Sequence, residues 1–103
     1  MDKRKLIKIL KKFKEIIKKE KDIDEVILFG SQANGKATKN SDIDLMIVGK
    51  EFEKIKHARS KGLRKYFPIA TSLDIICYTP EEFKKKKKQI TIVKEALAKG
   101  IKI

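Results

Sequence analysis

Gly30 and Ser31 are followed, after ten residues, by Asp42 and Asp44, and the two halves of this pattern suit complementary ligands. Residues 29–48 read FGSQANGKATKNSDIDLMIV. A Gly-Ser turn suits a phosphate. Gly30 tolerates backbone angles closed to other residues and lets a phosphate approach the main chain. Ser31 is placed to cap a short helix starting at Gln32, whose free N–H groups attract phosphate oxygens. Paired carboxylates repel until a cation joins them. Mg²⁺ is commonly held by one or two carboxylates together with substrate phosphates, and two ions about 3.5–4 Å apart serve phosphoryl transfer. The pattern points to a nucleoside triphosphate bound through its phosphates and Mg²⁺.

A third carboxylate lies in the apolar run Leu73-Asp74-Ile75-Ile76-Cys77-Tyr78. A charge buried mid-strand is costly unless paired or metal-bound; the alternative is an edge strand on which Asp74 faces water. If this strand pairs beside the one carrying Asp42 and Asp44, Asp74 is the candidate general base for the attacking hydroxyl and a further metal ligand. Tyr78, two residues further along the same face beyond Ile76, is a candidate for stacking on a base or for packing. His57 lies among charged residues and reads as solvated, and Ser41 as the opening of the strand.

These groups need elements to position them. Leu6, Leu10, Phe13 and Ile17 recur at helical spacing and predict a helix over residues 3–20. Residues 25–29, 43–49 and 72–78 read as strands. On the second, residues two apart share a face roughly 6.6 Å apart. Asp42 and Asp44 therefore face one site, while Ile43, Leu45 and Ile47 enter the core from the other face. Phe52, Ile55, Ala58 and Leu63 mark a helix that Pro68 helps to end. Pro80 opens a short helix with Glu81 and Glu82 in its first turn, where the helix dipole favours acids. Ile90, Val93 and Leu97 face inward on a last helix stopped by Gly100, and residues 101–103 add an edge strand.

With these residues in place, the chain resembles a minimal nucleotidyltransferase of the DNA polymerase β-like superfamily. The matching residues are Gly30, Ser31, Asp42, Asp44 and Asp74, and the order of elements matches over essentially the whole chain. The stretch DIICYTPEEF, residues 74–83, resembles the catalytic strand and following helix of small prokaryotic members. Those members are commonly the antitoxin of a toxin–antitoxin pair whose partner carries a HEPN ribonuclease domain. The resemblance implies an α/β (α+β) fold with a small mixed sheet of three to four strands flanked by helices. It implies transfer of a nucleoside monophosphate, commonly AMP from ATP, to a hydroxyl of the partner, with pyrophosphate released. Gly30 and Ser31 would then serve the triphosphate, and Asp42, Asp44 and Asp74 the Mg²⁺ ions. One feature departs from the pattern. Small members often carry a basic residue near position 32 or 34, where this chain has Gln32 and Asn34. Lys36 and Lys39 are the nearby point charges, and neither offers a bidentate guanidinium.

The 103 residues suffice for one domain, residues 1–103, with a modest core. That leaves no room for a separate acceptor-selecting domain, so a partner or oligomer is expected to complete recognition. No apolar stretch approaches the length of a membrane span and no signal-peptide pattern opens the chain, which predicts a cytoplasmic protein. The single cysteine, Cys77, is expected to pack as a small apolar residue. The net charge of +13 is uneven: residues 22–49 carry two basic and five acidic side chains, so the excess lies outside the motif. Lysine outnumbers arginine 24 to 3, which favours a solvated helix surface over a phosphate-reading one. The run Lys84–Lys88 is the best local support for an acidic or RNA-bearing partner. Two other readings stay open: a non-catalytic module that masks a partner or RNA, and transfer to a small molecule.

Overall fold

The computed structural model describes residues 2–35, 42–50, 52, 59–69, 71–89 and 92–103. Periodicity builds the first element as expected. Helix α1 spans Lys3–Glu20, opened by Asp2, whose carboxylate accepts from the Arg4 N–H at 3.0 Å. Its apolar stripe of Leu6, Leu10, Phe13 and Ile17 is fully buried, and its lysines line the opposite side. Strand β1 (Ile23–Phe29) follows, then a single-turn helix α2 (Ser31–Asn34) and strand β2 (Ile43–Gly49). After α3 (Lys61–Arg64) come strand β3 (Leu73–Tyr78), α4 (Pro80–Lys86), α5 (Ile92–Lys99) and the short strand β4 (Ile101–Lys102).

The strands form one sheet in the order β3-β2-β1-β4. β1 runs antiparallel to β2 and β4, whereas β2 and β3 are parallel. The parallel pair follows from the long connection between them, since only a crossover can return a chain to start a neighbouring strand in the same direction.

Both faces of the sheet are covered. Ile43, Leu45 and Ile47 meet the α1 stripe, with Leu63 and Cys77 in the same core. Phe67 packs edge-on against Phe13 with ring centroids 5.2 Å apart. On the opposite face Met46 and Val48 are buried with Ile27, Tyr78, Phe83 and Val93. The alternation along β2 is therefore as expected, but its carboxylate face leads into a second core under α4 and α5. Flanking helices on both faces explain the nearly continuous apolar run of β2.

Asp74 takes the edge-strand alternative. β3 is an edge strand, and Asp74 is exposed rather than buried within the sheet. Tyr78 is packed among apolar residues at the far end of β3, away from Asp74. Lys36, Lys39, Ser41, Ile55, His57, Ala58 and Ile90 lie outside the described residues.

Candidate active site

Strand register brings the sequence-separated carboxylates together. In the parallel pair, Asp44 stands opposite Asp74, so both side chains leave the same face of neighbouring strands. Adjacent strands lie roughly 4.8 Å apart. On its other side Asp44 is paired with Phe29, the last residue of β1. The end of β1 and the beginnings of β2 and β3 thus form one rim of the sheet, and Asp42 is exposed immediately before β2 on that rim.

The chain leaves β1 through Gly30, at φ 73° and ψ −155°. This region is essentially closed to residues with a side chain. A Cβ at Gly30 would also overlap Asp44 Oδ2, so the turn and the carboxylate are in direct contact. Gly30 is the N-cap of α2: its carbonyl accepts from the Ala33 and Asn34 N–H groups at 3.1 and 3.2 Å. Ser31 was expected to be the cap and is instead the first helical residue, because the left-sided φ that begins the helix is one only glycine adopts readily. Lys3 Nζ, from the start of α1, donates to the Ala33 carbonyl at 2.9 Å and ties α2 down from below.

Electrostatics single out Asp44. Burial pushes its carboxyl above the ordinary range, and the charges of Asp74 and Asp42 add to the rise. Among the described residues no three carboxylate, thiol or imidazole groups close into a ready-made metal cage. An open set of carboxylates in which two raise the proton affinity of the third, Asp44, is nevertheless the donor chemistry that suits Mg²⁺, which completes its shell with phosphates and water. The residues present fit that ion.

A cleft of about 230 Å³ adjoins Asp44 on the side away from Asp74. Phe29, Gly30 and Asp44 form one wall, and Glu95, Ala96 and Lys99 of α5 form the other. Sequence reasoning did not connect α5 with the motif, because about fifty residues separate them.

A second polar cluster, also missed, braces the far end of β3. Arg59 is buried, and its Nη1 donates to Cys77 O at 3.1 Å and to Glu82 Oε1 at 2.5 Å. Glu82 Oε1 also accepts from the Thr79 N–H, while Thr79 Oγ1 accepts from the Glu82 N–H. The spacing Thr79-x-x-Glu82 before an apolar position carries a readable capping-box signal; the choice of Arg59 as partner does not.

With this geometry defined, known proteins provide context. The nucleotidyltransferase domain family matches residues 10–102. Three candidate protein adenylyltransferases of Methanocaldococcus jannaschii are similar. One is 39% identical over 66 residues, covering 62% of this chain and 45% of that protein. A second is 44% identical over 54 residues, 50% of this chain and 54% of that protein. A third is 40% identical over 65 residues, 62% of each. The chain therefore spans about half the length of the curated relatives it matches. A candidate nucleotidyltransferase from Sulfolobus solfataricus superposes with a TM-score of 0.64 at 25% identity, over 81% of this chain and 75% of that one. A toxin–antitoxin structure with AMP-PNP superposes at 0.53 and 17% identity, over 99% and 72%, a likeness of fold.

Proposed function

On the premise that the chain belongs to the nucleotidyltransferase domain family, we propose that it transfers AMP from ATP, with Mg²⁺, to a hydroxyl of a partner protein, a HEPN-type ribonuclease toxin that it thereby neutralises. The observation that carries this reading is the register of Asp44 with Asp74 beside the Gly30 turn. Asp42, Asp44 and Asp74 would hold Mg²⁺, which when bound neutralises the triphosphate and acidifies the acceptor hydroxyl.

The chain's own groups account for the rest. Gly30 and the amides opening α2 receive phosphate oxygens, with Ser31 beside them. Asp74 takes the proton of the acceptor hydroxyl as its oxygen bonds the α-phosphorus. The bond from that phosphorus to the bridging oxygen breaks, and pyrophosphate leaves. Because Asp74 is exposed on an edge strand, an acceptor held on another macromolecule can reach it.

AMP as the group transferred and a protein as acceptor are supported by what the Methanocaldococcus relatives are named for. A toxin as that protein is supported by the fold likeness to a toxin–antitoxin structure. Among the described residues no helix is long and apolar enough to cross a membrane, in keeping with work in the cytoplasm on a soluble partner. We read residues 1–103 as one domain and any RNA contact as made through the partner.

Intact-mass measurement tests the reading. The HEPN partner, incubated with this protein, Mg²⁺ and mixed nucleoside triphosphates, should gain the mass of one or more AMP units. An Asp44→Asn control should show no gain. A tight complex with no mass gain would replace transfer by antagonism through binding, the reading favoured by Gln32 and Asn34 standing where a basic residue is common.

A further inference from the structure

Resting on the nucleotidyl transfer proposed above, we propose that Lys99, at the end of α5, holds the pyrophosphate that leaves. The strand order β3-β2-β1-β4 places Asp74 and the 230 Å³ cleft on opposite sides of Asp44. Attacking and leaving oxygens stand roughly in line across the transferred phosphorus. An acceptor deprotonated by Asp74 approaches over β3, so the leaving group departs over β1 toward β4. That path enters the cleft between Gly30 and α5.

The cleft has one cation among its described lining residues, Lys99, and two carboxylates, Asp44 and Glu95. A multiply charged anion entering it meets repulsion from both acids, and among the described lining side chains only Lys99 offers it a full positive charge. A lysine ammonium is a suitable point charge for phosphate. Gln32 and Asn34 contribute no charge.

The backbone position of Lys99 is set by the fold, and its side chain is exposed. Val93 and Ala96 bury one side of α5 against the sheet. The Gly100 N–H closes onto Ala96 O at 2.6 Å, and Ile101 then pairs with Leu28, two residues before Gly30. Lys99 is thus anchored two residues from a strand that flanks the phosphate turn. In the step itself the acceptor oxygen bonds the α-phosphorus and its proton goes to Asp74. The electron pair of the broken P–O bond leaves with pyrophosphate beside the Lys99 ammonium. Lys99 also occupies the last turn of a helix, where any lysine offsets the helix dipole; that role alone would touch stability and not phosphate number.

Equilibrium binding of ATP, AMP and pyrophosphate to the whole chain with Mg²⁺ separates these roles, using wild type, Lys99→Met, Lys99→Gln and Lys99→Arg. Loss of one charge-assisted contact should weaken ATP and pyrophosphate about 10- to 100-fold in the Met and Gln variants. AMP affinity should change by less than about twofold, and Lys99→Arg should recover most of the loss. If wild type binds ATP and the Met and Gln variants bind it equally well, Lys99 is not the phosphate cation, and the transferase reading stands. A parallel loss of AMP and ATP would also overturn the assignment. If wild type binds neither nucleotide, the transferase reading and the role of Lys99 fall together.

Discussion

The carboxyl of Asp44 fills the space in which a side chain at position 30 would begin. Gly30 combines this contact with φ 73° and ψ −155°, so alanine there meets both a steric and a conformational obstacle. Backbone strain of this kind costs about 1–3 kcal/mol. Gly30→Ala should lower the unfolding free energy by that amount in urea titration. It should also abolish transfer, because the carboxylate must move from its place beside Asp74. A variant with wild-type stability and activity would show that the contact is not needed.

Asp44 should make the protein less stable at neutral pH than it would be without the charge. Its carboxyl is raised by burial and by Asp74 and Asp42, so the folded chain holds the proton more tightly than the unfolded chain. Stability then falls as pH rises from the ordinary carboxyl value through the raised one, and stays lowered above it. Asp44→Asn should melt at a higher temperature than wild type at pH 7 in EDTA, and the difference should vanish as the pH falls below the ordinary value. Adding Mg²⁺ should raise the melting temperature of wild type but not of the variant. A variant less stable at pH 7 would instead assign the carboxylate a structural bond.

The parts of this site readable from sequence are those set by short periods. Alternation along residues 43–48 fixed which side chains share the face of Asp44, and helical spacing fixed the stripe Leu6, Leu10, Phe13 and Ile17. Pairing was not readable in the same way. Asp74 stands opposite Asp44 through the parallel register of β3 with β2, and the place of β3 at the sheet edge leaves Asp74 exposed. The cap at α2 went to Gly30 rather than Ser31 because the turn demands a positive φ, which side-chain capping preferences do not register. Arg59 reaches Cys77 and Glu82, and Lys99 the cleft beside Asp44, only through the completed topology, so no local pattern marks them.

Arg59 and Glu82 link the chain before β3 to the start of α4. The guanidinium is buried, while the Glu82 carboxylate keeps 27% exposure, so water moderates the pair on one side only. Arg59→Met removes the bond to the Cys77 carbonyl and leaves Glu82 with the Thr79 amide alone among the bonds described above. The expected loss is about 2–4 kcal/mol, read as a lower urea midpoint with an unchanged slope. Arg59→Lys should recover part of it. A loss under about 0.5 kcal/mol would place the pair among ordinary surface bridges.

Cys77 should be inert in the folded protein. Burial pushes its thiol up to about 12 despite the opposing charges of Arg59 and Lys21. The reactive thiolate is therefore scarce at pH 8, and the sulfur is enclosed in the α1 core. Alkylation at pH 8 should be slow in buffer and rapid in urea. Fast labelling of the native protein would show that β3 opens at its edge.

Lys3 should matter to the Gly30 turn although thirty positions separate it from Ala33. Its ammonium holds the Ala33 carbonyl at 2.9 Å, on the side of α2 that faces α1. Lys3→Met removes one hydrogen bond from a charged donor, a loss of about 1.5–3 kcal/mol at most, and less here because Lys3 is largely exposed. The amides that open α2 would then lose their brace, so ATP binding should weaken while Asp44 and Asp74 stay in register. In the mass assay this predicts a higher KM for ATP with kcat little changed. An equal fall in kcat would mean that Lys3 acts on the carboxylates themselves, and unchanged kinetics would mean that α2 is held well enough by its contacts with β1 and β2.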